Sequence, residues 1–331
     1  MARLRPVDVH TRQLRYFVAV ADELNFTRAA ARLHITQQTL SAQIRQLEKA
    51  VDVPLFRRTT RSVELTAAGA AFLAELRWVP AAIDRSVHTA RRAAANESGV
   101  LTIGIGEGGA LTLTEPILAE FRSRHPGIRV DVKVYSYADP SVGLADGSVD
   151  VAYLRLPIDG GDWLRSETLF VEPRVVMVPG THRFATRDVL AAAELADEPI
   201  VGHVCADRAW IDFWSLADHR DGKPARFVGS ASSVLEEVQC VGAGLGCVVT
   251  VASARWVPPV GVALVPLADA RGSELAVGWR VDHHTEAVRA FVAVARAVRD
   301  ANPQTVYALA HPDLNDRSIP PTIPVIHSQS P

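Results

Sequence analysis

The chain has 331 residues, 48% hydrophobic and 22% charged, with a formal net charge of −2; this is ordinary for a soluble protein and leaves room for about two domains with a sizeable core. No run approaches the roughly 18 apolar residues of a membrane span, and the N-terminal MARLRPVDVHTRQLRYF lacks the continuous apolar stretch of a signal peptide, so the expectation is a cytoplasmic protein without membrane contact. The net charge conceals an asymmetry: residues 1–66 hold eleven Lys/Arg against six Asp/Glu, a head of +5 on a body of −7, which suits a polyanion-binding module joined to one that should avoid polyanions.

Leu14, Phe17, Val18, Ala21 and Leu24 recur at helical spacing and predict a first helix. From Thr27 to Lys49 the sequence TRAAARLHITQQTLSAQIRQLEK predicts two short helices separated by a tight turn, with Thr27 and Thr36 placed to cap them. Ala29, Ala30 and Leu33 form the inner face of the first; Leu40, Ile44 and Leu47 form that of the second. Opposite this stripe lie Gln38, Ala42, Arg45 and Lys49, flanked by Thr39, Ser41 and Gln46, a face rich in partners for base edges and phosphates. Two readings stand at this point: a helix-turn-helix whose second helix enters the major groove, or a solvated amphipathic pair in an ordinary α domain. Downstream, in VDVPLFRRTTRSVELT, Pro54 ends the helical register, and Arg57, Arg58 and Arg61 surround a Thr59-Thr60 turn between two short extended runs, the pattern of a basic β-wing.

The order from Leu14 to Gly69, LRYFVAVADELNFTRAAARLHITQQTLSAQIRQLEKAVDVPLFRRTTRSVELTAAG, resembles without a gap the winged helix-turn-helix of LysR-type transcriptional regulators. That resemblance implies a DNA-binding domain over residues 8–66, with Thr27, Gln37, Gln38, Thr39, Ser41, Ala42, Arg45, Arg58, Thr60 and Arg61 as the set meeting double-stranded promoter or operator DNA. Ala42 departs from the basic or long polar residue that the family often has there. Residues 67–98 are expected to be a linker helix. Its apolar positions Phe72, Leu76, Val79, Ile83, Val87 and Ala90 alternate by three and four, and the resemblance implies that two subunits pair through it, as homodimer or homotetramer. Pro80 predicts a bend near Arg77, and Asn96 to Gly99 a hinge.

From Val100 the period switches. Strands are predicted at Val100–Ile105, Arg129–Val134, Val149–Leu154 and Val175–Val178, with helices at Leu111–Arg124 and Ser141–Ala145. The alternation resumes with strands at Ile200–Gly202, Arg226–Gly229 and Cys247–Val251 and helices at Ala206–Ala217 and Ser233–Gly242. Strands at Val262–Pro266 and Glu274–Val281 and a helix at Thr285–Arg299 close the body. This predicts a mainly parallel, doubly covered α/β arrangement in two lobes: lobe 1 about 99–178 and 266–300, lobe 2 about 179–265. The family resemblance implies the same thing, a periplasmic-binding-protein-like effector domain over 99–300 with a cleft between its lobes. Residues 301–331, proline-rich and without apolar period, are expected to be a disordered tail.

Candidate cleft residues are Glu107, Gly108 and Gly109, Arg155, His203, Ser230 and Ser232, and Thr250. Glycines allow close backbone approach, a helix start near Gly108–Leu111 offers N–H groups to an anion, and Arg155 beyond a strand end suits a small carboxylate effector. Glu107 argues for a carboxylate that also carries an amine or hydroxyl. Each has a plainer reading, Arg155 as a surface arginine and the serines as helix caps. Gly104-x-Gly106-x-x-Gly109 also matches a dinucleotide fingerprint, with Asp131 downstream, so an NAD-dependent enzyme remains an alternative. A transport-type binding protein is the other, opposed by the basic head and the missing signal peptide. His203-x-Cys205, with His182, His219 and His283-His284 as further donors, frames no metal site by spacing. Cys205, Cys240 and Cys247 suggest neither a disulfide framework nor an obvious redox site. No nucleophile elbow, Walker lysine or paired carboxylates are found, so neither catalysis nor a cofactor is expected.

Overall fold

The computed structural model describes residues 9–58, 62–76, 79, 82–83, 86–88, 90, 99–257 and 261–314, in two compact units, a head and a body. The expectations for Thr60 and Arg61, for the bend at Arg77 and Pro80, for the hinge at Asn96 to Ser98 and for residues beyond 314 lie outside the described residues.

In the head, α1 (Thr11–Glu23), α2 (Phe26–Arg32) and α3 (Gln37–Val51) enclose one core. Phe17 is its centre, with ring centroids 5.2 Å from both Phe56 and Phe72. Leu40, Ile44 and Leu47 are fully buried on α3. Two expectations are corrected. Leu24 ends α1 in the left-handed region and stays exposed, so Val20 rather than Leu24 completes the inner face. Asn25, not Thr27, caps α2, because its Oδ1 accepts the N–H groups of both Thr27 (2.9 Å) and Arg28 (3.0 Å). Thr36 does cap α3, its hydroxyl accepting the Thr39 N–H at 3.2 Å.

The wing is the antiparallel pair β1 (Phe56–Arg58) and β2 (Val63–Leu65). Glu48 fixes it to α3: Oε1 accepts the backbone N–H of Leu55 at 2.9 Å and of Phe56 at 3.0 Å, and Oε2 takes Arg58 at 3.2 Å. The following helix, α4 (Ala67–Leu76), lays Phe72 and Leu76 on the head's core. The described positions from Val79 to Ala90 are also helical, and Val87 is exposed. Part of the apolar period expected to form an intersubunit seam therefore also packs within the chain. Its first turns, through Phe72, Leu76 and Val79, pack on the head's core.

In the body, β3 (Val100–Ile105), β4 (Arg129–Val134), β5 (Val151–Leu156), β6 (Leu164–Glu172) and β12 (Ser273–Arg280) form a sheet of order β4-β3-β5-β12-β6. It is covered by α5 (Thr114–Arg124) and α8 (Glu286–Ala301) through Phe121 and Phe291, 5.2 Å apart. The second lobe carries β7 (Arg174–Pro179) between β10 (Val248–Val251) and β11 (Val262–Pro266), and the parallel pair β8 (Pro199–His203) and β9 (Arg226–Ala231). Its helices are α6 (Arg208–Trp214) and α7 (Val234–Gly242), the latter capped by Ser233.

Four expectations change. The sheets are mixed, because β12 returns antiparallel to β5 and β6, and β7 is antiparallel to both neighbours. The strand β6 is unforeseen, and β7 belongs to lobe 2, so the first crossing falls at Pro173 rather than near 178. Ser141–Ala145 is a series of turns, because Asp139 takes the N–H groups of Ser141 (3.0 Å) and Gly143 (2.8 Å) while Val142 and Gly143 adopt positive φ. A final helix, α9 (Pro303–Ala310), lies where a disordered tail is expected, with Pro303 at its first turn and Leu309 buried on the lobe 1 core.

Glu48→Ala should leave the Leu55 and Phe56 amides and Arg58 without their acceptor, costing about 1–3 kcal/mol. Amide hydrogen exchange should then accelerate at Leu55 and Phe56 while the body's sheets are unchanged.

Candidate functional site

On α3, Gln38, Ala42, Arg45 and Lys49 are exposed on the face opposite the buried stripe, Thr39 is exposed beside it, and Gln37 is exposed at the start of the helix. The head's cations divide into two kinds. Arg28 pairs with Glu23, Arg32 with Asp22, and Arg57 with Glu64 across the wing. Arg58 is held most firmly: it donates to Ser41 Oγ at 3.0 Å, pairs with Glu48 and lies 4.4 Å over the Phe26 ring. Burial lowers its pKa from the usual arginine range. It buttresses the wing against α3 more than it presents a charge, and Ser41 is its partner. Arg45 and Lys49, by contrast, have no ion pair among the described residues. Thr27 is exposed in the first turn of α2.

In the body, the two lobes enclose a cavity of about 270 Å³, near the lower edge of the roughly 300–1,000 Å³ usual for small-molecule sites. Of the expected residues, Glu107, Gly108, Gly109, Arg155, His203 and Thr250 line it. Ser230 and Ser232 do not. Ser230 lines a smaller neighbouring cavity that shares His203 and Trp214, and Ser232 binds the Glu236 carboxylate through its N–H (2.6 Å) and hydroxyl (2.9 Å) at the start of α7. Sequence reasoning missed Tyr137, Tyr153, Trp210, Trp214, Glu237 and Trp256, which also line the main cavity. Trp210, Trp214 and Glu237 lie within helices already predicted, but only the packing turns them to the cleft.

Three N–H groups of the loop after β3 that an anion could use are already bonded. The N–H of Gly109 goes to Gly106 O (3.0 Å), that of Leu111 to Gly108 O (2.9 Å), and that of Ala110 to Thr114 Oγ1 (2.8 Å). Two of the fingerprint glycines have packing reasons instead: a Cβ on Gly104 would sit 2.3 Å from Val142 O, and one on Gly109 2.9 Å from Thr114 Oγ1. Glu107 accepts the Val234 N–H, and its pKa is raised by burial and by the neighbouring Glu237 and Glu236.

Arg155 is not the free anchor foreseen. It donates Nη2 to Glu172 Oε2 at 2.6 Å, while Ser253 N–H donates to the other carboxylate oxygen. Its Nη1, the Tyr153 hydroxyl and the Trp214 indole N–H are buried without an acceptor, and all three residues line the cavity. Across the cleft, Trp210 Nε1 donates to His203 Nδ1 at 2.8 Å, and His203 Nε2 lies 2.8 Å from Glu237 Oε1. An indole N–H can only donate, so Nδ1 accepts and Nε2 carries the proton given to Glu237. Thr250 donates to the other Glu237 oxygen at 3.3 Å. Tyr137, 4.6 Å from the His203 ring, has its pKa driven well up by burial and by the Glu237 and Glu107 carboxylates.

Among the described residues no group of three His, Cys, Asp or Glu is placed to hold a metal. His182 lies against Glu198 and His283 against Asp150. Burial pushes the thiols of Cys205 and Cys247 up to about 11 and about 12, which disfavours the reactive thiolate. Among the described residues no helix is long and apolar enough to cross a membrane.

The comparisons with known proteins agree with this geometry. A profile described as "Bacterial regulatory helix-turn-helix protein, lysR family" matches residues 11–70, and one described as "LysR substrate binding domain" matches residues 94–300. The chain is 32% identical over 289 residues to the HTH-type transcriptional regulator AlsR of Bacillus subtilis, covering 86% of this chain and 94% of that protein. It is 31% identical to the Hca operon transcriptional activator HcaR of Escherichia coli, covering 86% and 96%. Among solved structures, a single-site mutant of full-length BenM has the same fold at 24% identity and a TM-score of 0.50, covering 89% of this chain and 97% of that one.

Arg155→Ala should destabilise the body by about 3–5 kcal/mol, because it leaves Glu172 buried without its cation. Urea unfolding followed by tryptophan fluorescence reads this, and Arg155→Lys should recover much of the loss.

Proposed function

This chain belongs to the LysR-type family of transcriptional regulators, and from that premise we propose how its parts divide the work. It is a DNA-binding regulator whose body takes a small-molecule effector, and it assembles as a homo-oligomer. Neither a transport protein nor an NAD-dependent enzyme is consistent with the family across head and body.

In this reading α3 enters the major groove with Gln37, Gln38, Thr39 and Ala42 toward base edges and Arg45 and Lys49 toward base edges or phosphates. Thr27, Thr60 and Arg61 serve the flanking backbone, and Arg58 and Ser41 hold the wing in place. The observation that carries it is the contrast among the head's cations, where Arg45 and Lys49 remain uncommitted on the exposed face of α3. Subunits pair through the later turns of the linker, around Ile83 and Val87. The site of action is the cytoplasm, where chromosomal DNA lies. The effector occupies the interlobe cavity, with a carboxylate or other acceptor directed at Arg155 Nη1, a donor buried without a partner in a residue that lines it.

Sites recovered by genome-wide binding, used as labelled duplexes for anisotropy, test the head. Gln38→Ala should lose about 1–3 kcal/mol of discrimination between the site and its base variants. Lys49→Ala should weaken all duplexes alike and lower the salt slope by about one. Equal losses on every sequence in both variants would remove α3 as the base-reading helix.

A further inference from the structure

The cavity's charges do not balance. Glu237 is 1% exposed, yet its two acceptor contacts come from His203, a neutral imidazole by its tautomer, and from the Thr250 hydroxyl. Its charge is hydrogen-bonded, but among the described residues no lysine or arginine pairs with it. Glu107 adds a second carboxylate to the same cavity, bonded to the Val234 N–H. Asp139 also lines the cavity, but its carboxylate is taken up by Ser141 and Gly143 in its own turn. Against these, Arg155 is the one guanidinium or ammonium side chain among the described lining residues, and Glu172 already pairs with it.

A surplus of negative charge in a half-enclosed site is costly unless a carboxyl takes up a proton or a cation enters, and a cation placed between Glu237 and Glu107 relieves both at once. The rest of the wall suits one. Tyr137, Trp210, Trp214 and Trp256 line the cavity, and aromatic faces attract organic cations. The N–H groups of Gly109, Ala110 and Leu111, which would have favoured an anion, are bonded within their own loop. At the Arg155 end, the buried donors without acceptors call for oxygen on the ligand.

We propose that the effector is an organic ammonium compound of amino-acid type: its ammonium is held by Glu237 and Glu107 among the aromatic side chains, and its carboxylate meets Arg155. This rests on the reading of the interlobe cavity as the effector site. The two poles explain together why a regulator site holds both an arginine and an excess of carboxylates. They also make a plain acid a poor ligand, since it would meet Glu107 and Glu237 uncompensated.

Calorimetric titration of the full chain with matched amine, acid and amino acid probes tests this, using isobutyl and benzyl frameworks (for benzyl: 2-phenylethylamine, 3-phenylpropionate and phenylalanine). Quenching of the lining tryptophans reports occupancy of the cavity. On the framework that fits, the amino acid should bind tightest and the amine at least about ten-fold tighter than the acid. Glu237→Gln and Glu107→Gln should each weaken the amine roughly ten- to a hundred-fold, the size of a charge-assisted hydrogen bond, without weakening the acid. Glu237→Gln keeps an acceptor for His203, and Glu107→Gln leaves the His203 network untouched, so a folding defect in one does not remove the other. An acid that binds as tightly as its amine, or an amine indifferent to both variants, overturns the ammonium assignment and leaves the cavity as the effector site. Failure of every probe to bind or quench overturns both.

Discussion

The body depends on a buried charge arrangement at the point where the chain passes from one lobe to the other. Glu172 ends β6, Pro173 intervenes and Arg174 begins β7, so adjacent strands of one chain lie in different sheets. Glu172 binds Arg155 of lobe 1 and the Ser253 N–H of lobe 2. Arg174 binds the carbonyls of Phe213 (2.6 Å) and Arg271 (2.7 Å), the latter on the returning segment, and lies 4.0 Å over the Phe213 ring. Burial lowers its pKa to about 10, still far above neutrality, so it remains a cation. Both ions are buried, and losing either partner would strand a charge at the hinge. Both groups thus tie the two lobes together at the crossing, Glu172 to Arg155 and Ser253, and Arg174 to Phe213 and the returning segment.

The same economy of means recurs in the head. Glu48 closes the last turn of α3 onto β1 by taking two backbone N–H groups and one guanidinium, as Glu172 takes one of each. A single carboxylate thus sets the angle between the helix and the wing. Arg58, anchored to it, is committed to that angle, and the uncommitted cations of α3 face outward.

The cavity joins the hinge to chemistry. Arg155 touches the hinge carboxylate with one nitrogen and leaves another buried and unpaired in a residue that lines the cavity. A ligand that reaches that nitrogen acts on the group holding Glu172, and so on the lobe crossing itself. A ligand shifts a conformational equilibrium only by its differential affinity for the states. A molecule contacting α7 through Glu237 and lobe 1 through Arg155 binds best where the two lobes present both groups at once.

The sequence by itself determined the local features. The i, i+4, i+7 stripe of Leu40, Ile44 and Leu47, the Thr36 cap, the basic head and most strands of the body follow from period and turn chemistry that a few neighbouring residues decide. The two-lobed fold and six of the eight cavity residues expected were legible the same way, from strand ends and glycines. Tertiary structure decided the rest. It alone brought Glu172 to Arg155, 17 residues apart, and Glu237 to His203, 34 apart. It packed Phe72 and Leu76 on the head's own core, and it gave α9 an apolar surface that a tail sequence does not announce. It also bound Arg58 and Arg155, which by residue type alone looked like free cations. Charge is written in the sequence, but whether a charge is compensated depends on which groups the fold sets within hydrogen-bonding reach of it.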